Sequence, residues 1–247
     1  MKLTIVGSGD AFGSGGRCNT CFWLETARGT LLVDFGASAP PALKARELDP
    51  NRIDAIVLSH LHGDHFGGLP FLLLDYQFLL RRERPLLIAG PPGAKDRIDA
   101  ALEAFFPKST GSKWKYVWRV EEIPVGVETE VLGHTIVTAE LLHQSGAPST
   151  ALRLSDGEKI FAYSGDTEWT GALLPIARAA DLFVCECYAY AGPLPGHLTW
   201  DVLQPKLPAL AAKRTMLTHM NPSMLARLDE VRRAGVLLAE DGLIVDI

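Results

Sequence analysis

An αββα four-layer sandwich, two mixed β-sheets packed face to face with helices outside, is the fold class this chain predicts. Three observations lead there. Each half opens with several strand-like runs and then alternates helix with strand. The run at 53–59 is nearly continuous and apolar, as in a strand covered on both faces. No low-complexity linker divides the 247 residues, so both halves are expected in a single domain, 1–247.

The first half reads as strands at 3–6, 20–25, 30–34 and 53–59. A helix follows over 67–82, GGLPFLLLDYQFLLRR, with Gly67 and Gly68 at its entrance and Pro70 in its first turn. A strand at 86–89, the turn GPPG and a helix over 98–105 complete it. The second half reads as strands at 114–120, 130–132, 135–142, 151–154 and 159–164, a short helix at 173–178 and a strand at 182–187. Residues 199–212 are helical with a break at Pro205 and Pro208, and 215–218, 223–234 and 243–246 read as strand, helix and strand.

Hydrophobic residues make up 47% of the chain and charged residues 21%, which suits a large buried core. A net charge of −5 supplies no global field for a polyanion, so nucleic acid would need a local basic surface. The only basic stretch with interleaved aromatics is KSTGSKWKYVWR at 108–119, where a half-buried strand with a solvated charged face is the simpler account. No stretch reaches the length of a membrane span, and the apolar run at the amino terminus is short for a signal peptide, so a cytoplasmic location and no membrane partner are expected. Cys18 and Cys21 form a C-x-x-C pair without two further soft ligands nearby; Cys185 and Cys187 alternate on one face of a strand. All four are expected to be reduced and unligated.

The chemistry concentrates in SHLHGDH at 59–65. His60 and His62 stand two apart at a strand end, so both rings can face one metal ion. Asp64 and His65, where the chain turns into a helix, point elsewhere and can serve a second ion. Three further strand ends run into polar loops at His143, Asp166 and His219. The two oxygens of Asp166 can bridge ions roughly 3.5–4 Å apart. A histidine at a strand end, taken singly, is an ordinary polar residue. The three in the cluster, however, demand partners, and five of the seven histidines fall in such positions. Imidazole and carboxylate suit zinc and tolerate manganese or iron. The sequence therefore predicts two divalent ions, zinc foremost.

HLHGDH matches the H-x-H-x-D-H signature of the metallo-β-lactamase fold, and His143, Asp166 and His219 resemble its later ligand motifs in order. The resemblance spans nearly the whole chain. It implies that His60, His62 and His143 hold one ion, that Asp64, His65 and His219 hold the other, and that Asp166 bridges them. Class-defining β-lactamases often place cysteine at one ligand position; here every such position is His or Asp. LTIVGSGDAFGSGGR, YSGDT, VCECY with Glu186 and GHLT with His197 resemble segments of the ribonuclease Z group. That group carries a long Gly- and Pro-rich arm for transfer RNA, for which the stretch between Leu69 and Trp114 is too short and too helical.

The expected function is therefore a dinuclear metal-dependent hydrolase, a phosphodiesterase on small nucleotide-like or cyclic phosphodiesters. A lactone, thioester or amide hydrolase is the first alternative and a ribonuclease Z-type RNA endonuclease the second. In phosphodiester cleavage the leaving oxygen must be protonated, a task for His197 oriented by Glu186, while Asp64 orients the attacking water. Ser149 and Thr150 are candidate donors to a substrate phosphate, and His134 reads as an ordinary surface residue. RNA is compatible but not favoured, and a homodimer is compatible with the relatives.

Overall fold

The computed structural model describes residues 1–247. The first half comprises β1 (Lys2–Gly7), β2 (Cys21–Thr26), β3 (Gly29–Val33), α1 (Ala39–Ala45), β4 (Ile53–Val57), α2 (Gly63–Phe66), α3 (Leu69–Phe78), β5 (Leu86–Gly90), α4 (Ala94–Phe105) and β6 (Trp118–Glu122). The second comprises β7 (Thr129–Val131), β8 (His134–Glu140), β9 (Thr150–Ser155), β10 (Ile160–Tyr163), α5 (Leu173–Ala177), β11 (Leu182–Glu186), α6 (Trp200–Leu203), α7 (Leu207–Leu210), β12 (Thr215–Thr218), α8 (Pro222–Leu225), α9 (Leu228–Arg232), β13 (Leu237–Leu238) and β14 (Ile244–Asp246).

Two seven-stranded mixed sheets result, ordered β14-β1-β2-β3-β4-β5-β6 and β13-β12-β11-β10-β9-β8-β7. Alternation along each strand explains the layering. In β4, Ala55 and Val57 face the core between the sheets while Ile56 faces the core under α3 and α4. In β11, Leu182 and Val184 face the inter-sheet core while Phe183 and Cys185 pack under α5, α6 and α7. Phe22 meets Phe161 and Tyr163 edge-to-face across the sheets, with ring centroids 6.4 and 5.2 Å apart. No helix is long and apolar enough to cross a membrane.

Several local expectations change. Residues 114–117 are not strand: the Gln77 side chain donates to the Lys113 carbonyl and accepts from the Lys115 N–H, taking the place of a neighbouring strand. Trp114 and Trp118 pack in T-shaped contact against the core while Lys113, Lys115 and Arg119 face solvent, so the solvated charged face is present without the strand expected to carry it over 114–117. The expected helix at 223–234 is two short helices, α8 and α9, separated at Arg227 by a non-helical backbone. His134 is not on the surface. It is fully buried, with Nε2 2.8 Å from Thr26 Oγ1 and Nδ1 donating to the Val131 carbonyl. The space between Leu69 and Trp114 is taken up by α3, β5 and α4, and no arm projects from it.

Candidate metal centre

The site forms where parallel strands end together. In the first sheet β4 runs parallel to β3 and β5 and delivers His60 and His62 just beyond its carboxyl end. In the second, β10, β11 and β12 are parallel, and Asp166, Glu186 and His219 stand at their ends. β8 is antiparallel to β9, which is antiparallel to β10, so β8 runs with β10 and brings His143 to the same side. Asp64 and His65 come from α2, whose first residue, Gly63, follows His62 directly. Asp166 follows Gly165, at φ +60, where a Cβ would stand 2.7 Å from the Thr150 carbonyl oxygen.

All seven predicted ligand residues converge. His60, His62 and His143 form one group whose nitrogens lie within 4.8 Å of one another, and Asp64, His65, Asp166 and His219 form a second. His143 Nε2 and His62 Nδ1 are 3.0 Å apart. Asp166 Oδ2 lies 3.3 Å from His65 Nε2, 3.2 Å from His219 Nε2 and 3.9 Å from His60 Nε2, so it stands between the groups. His197 joins on the open side, within the same reach of His143 and Asp166. Its Nδ1 is 3.2 Å from Glu186 Oε1, and its ring stacks on Tyr188 with centroids 4.7 Å apart.

The residues fit a metal. His60 Nε2, His65 Nε2 and Asp166 Oδ1 are buried without a hydrogen-bond partner, an expensive arrangement unless an ion satisfies them. Behind four of the five rings the second nitrogen is engaged. His60 Nδ1 lies 3.1 Å from Ser59 Oγ, His65 Nδ1 2.7 Å from Asp34 Oδ2, and His143 Nδ1 2.7 Å from the Gly196 carbonyl. His219 Nδ1 lies 3.5 Å from Thr20 Oγ1. This back-side support fixes ring orientation and aims Nε2 inward. Sequence reasoning missed Asp34, Ser59 and Gly196. The VDFG stretch after a buried strand was the one available signal for Asp34, and only folding shows its partner.

The clustered groups perturb one another strongly. Burial pushes His60 well below the usual imidazole range, and the charge of His65 adds to this. His65 is pushed down by burial but held well above its usual range by Asp166, Asp64 and Asp34. Burial raises Asp166, yet His219, His65 and His60 prevail and hold it well below the carboxylate range. Burial pushes Glu186 up to about 7. Burial lowers His197, but the hydrogen bond and charge of Glu186 carry it up to about 9, so the pair holds its proton on the ring.

Two expectations fail here. Ser149 is buried and bonded to Ser145 Oγ at 2.9 Å, and Thr150 Oγ1 donates to the Ser59 carbonyl at 2.8 Å. Both hydroxyls are spent inside the protein and neither faces a substrate. A cavity of about 510 Å³ does adjoin His143, bounded by Gln144, Glu168, Pro195 and Gly196. Its frame is laced together: Gly196 N–H donates to Glu168 Oε1, and Glu168 N–H to the Leu142 carbonyl. None of the four cysteines is in a disulfide, and three of them are buried.

A sandwich of this topology with a His/Asp cluster at its strand ends is a metal-dependent hydrolase of the metallo-β-lactamase fold. Within that class, a sequence profile described as "Anti-Pycsar protein Apyc1" matches residues 1–240, and the chain belongs to this family. It is similar to ribonuclease Z of Anoxybacillus flavithermus, at 35% identity over 157 residues, or 62% of this chain and 48% of that protein. The chain thus spans about half the length of that relative. It is also similar to the probable metallo-hydrolase YhfI of Bacillus subtilis, 27% identical over 89% of this chain and 87% of YhfI. The crystal structure of the short form of human tRNase Z shares the fold, with a TM-score of 0.80 and 24% identity over 100% of this chain and 99% of that one.

Proposed function

We propose that this chain is a phosphodiesterase acting on small nucleotide-like or cyclic phosphodiesters. The observation that carries the reading is the His197–Glu186 pair, at 3.2 Å on the open rim of the cluster. In this reading His60, His62 and His143 would hold one divalent ion, Asp64, His65 and His219 would hold a second, and Asp166 would serve both. Two ions, zinc foremost with manganese or iron accommodated by the same donors, would supply Lewis acidity that acidifies water and offsets charge on the phosphate oxygens.

The residues do the rest. Asp64, with about 10% of its side chain exposed, is placed to accept a hydrogen bond from the attacking water and aim it. His197 Nδ1 is engaged by Glu186, which leaves Nε2 to protonate the departing oxygen. Glu186 is fully buried and accepts from the Thr167 N–H as well, so it holds the ring without moving. The cavity beside His143 has the volume of a small-molecule site. Relatives named ribonuclease Z support a phosphodiester substrate. The absence of an arm, with Trp114 and Trp118 packed against the core, favours a small one over folded RNA. A homodimer is part of the proposal, through the apolar face that α3 turns to solvent.

The test is turnover of a bis-aryl phosphodiester, a cyclic nucleotide, an aryl ester, a lactone and a transfer-RNA precursor by wild type and His197→Ala, with metal content measured for each. Phosphodiester turnover that collapses in the variant with metal retained is expected. Ester or lactone turnover indifferent to His197 would replace this reading with acyl hydrolysis, and precursor RNA as the preferred substrate would replace it with RNA cleavage.

A further inference from the structure

His219 carries a backbone problem. Its φ is +61, in the left-handed region that few non-glycine residues adopt, histidine more readily than most. Something must hold it there, because the conformation directs the ring toward Asp166 and Asp64. The immediate hold is the Ser8 carbonyl, which accepts from the His219 N–H at 3.0 Å and from Thr218 Oγ1 at 3.2 Å. Ser8 lies just beyond β1, is fully buried, and belongs to a glycine-rich loop whose own regular structure is one 3₁₀ turn at Ser14–Gly16 and an isolated bridge from Gly9 to Asn19.

Ser8 is fixed from the far end of the chain. Asp241, in the turn between β13 and β14, accepts from the Ser8 N–H at 2.9 Å and from Ser8 Oγ at 2.8 Å, both on Oδ1. Its Oδ2 accepts from the Cys18 N–H at 2.8 Å and faces Arg46 Nη2 at 3.4 Å. One carboxylate therefore clamps both feet of the loop, at residues 8 and 18, and Gly9 N–H closes the loop on the Cys18 carbonyl at 2.7 Å. Arg17 adds a bond from Nη1 to Ser8 Oγ at 3.2 Å. Asp241 lies outside the matched residues 1–240 and touches none of the seven clustered ligands.

We infer that Asp241 is a positioning residue for the metal centre, acting through the Ser8 carbonyl to hold His219 in its left-handed conformation and so to select one ion of the pair. The inference rests on the reading of His219 as a ligand. It predicts an asymmetric defect. His60, His62 and His143 hang from β4 and β8, with no link to Asp241, whereas His219 depends on it directly.

The experiment is zinc titration of the full chain against a chromophoric chelator, for wild type, Asp241→Ala, Asp241→Asn, His219→Ala and Arg153→Ala. Arg153 holds the Ile176 and Arg178 carbonyls and no part of the centre, so it controls for general destabilisation. Asp241→Ala is expected to weaken one of two zinc equivalents by about 10–100-fold and leave the other unchanged. His219→Ala should remove the same equivalent, and Arg153→Ala neither. Asp241→Asn keeps an acceptor for Ser8 but turns its amide against the Cys18 N–H; it should weaken the same equivalent by a smaller factor, and it decides the matter if the alanine variant does not fold. Two equivalents bound as in wild type by the folded Asp241 variants, with one lost in His219→Ala, would overturn the inference and leave the ligand set standing. Full binding by His219→Ala, or a single equivalent in wild type, would overturn the ligand reading itself.

Discussion

Asp34 Oδ2 and His65 Nδ1 meet at 2.7 Å with both side chains fully buried. The same carboxylate accepts from the Ser59 N–H and from Ser59 Oγ, each at 2.7 Å, and Ser59 Oγ in turn stands 3.1 Å from His60 Nδ1. A single residue from the end of β3 thereby orients two imidazoles that belong to different groups of the cluster. Asp34→Asn should lower metal affinity by about 10–100-fold, read by chelator competition. Unchanged affinity would show that packing alone orients these rings.

In the proposed mechanism His197 and Glu186 act in chemistry and not in binding. His197→Ala should lower kcat on a phosphodiester by about 10²–10⁴-fold while KM and metal content hold. Glu186→Gln should cost less, about tenfold, because the amide oxygen can still accept from the ring. A steady kcat in both variants, by stopped-flow or steady-state assay, would remove the proton-donor role.

Close approach at Gly36 gives a third prediction. A Cβ there would stand 2.2 Å from the Asp64 carbonyl oxygen and 2.4 Å from Asn19 Cβ. Gly36→Ala must displace the α2 backbone that carries Asp64 and His65. A loss of about 1–3 kcal/mol is expected, measured by urea denaturation, together with reduced metal content. Wild-type values for both would mean that α2 can shift freely.

Acid stability should report Asp181. Burial raises its carboxyl, but the hydrogen bonds from Lys213 and from the Ile160 N–H, with the charges of Lys213 and Lys159, outweigh burial and hold it below its usual range. A group depressed in the folded state contributes stability that is present above the unfolded value of about 3.9 and disappears as pH falls through the folded one. Asp181→Asn should therefore be less stable than wild type by about 1 kcal/mol at neutral pH. Denaturation midpoints of the two should converge as pH drops below about 4. A constant gap across that range would assign the effect to packing.

The outer face of α3 leaves Phe71, Phe78 and Leu79 46%, 67% and 71% exposed, with Phe105 of α4 nearby. In the proposed homodimer this patch is the contact between the two copies. The Lys44–Asp75 pair beside it, at 2.8 Å, offers both signs of charge on the same face, which suits self-pairing about a two-fold axis. Phe78→Glu should convert a dimer to a monomer in analytical ultracentrifugation. A wild type that sediments as a monomer at micromolar concentration would refute the dimer.

The layers were legible in the sequence because both-face burial writes itself as continuous apolar runs such as 53–59 and 182–187. The His/Asp cluster was legible because three histidines in one short run require company. What escaped was contact made only by folding. Asp34 stands far from His65 in sequence, and no local pattern ties Asp241 to Ser8. His134, a single histidine at a strand start, gave no sign that Thr26 would cover it. Residues 114–117 had strand composition, yet Gln77 supplied by side chain the hydrogen bonds that a strand neighbour would have made.

The clustered residues come from both sheets: His60 and His62 follow β4, whereas His143, Asp166 and His219 follow β8, β10 and β12. An ion held among them would join the two halves of the sandwich across a seam otherwise held by apolar contact and by hydrogen bonds such as Thr26–His134 and Thr150–Ser59. Its binding free energy then becomes resistance to unfolding, growing with the logarithm of free metal. Chelation should shorten the survival of the chain in a protease digest, so cellular metal supply would govern how much of the protein persists as well as how fast it works.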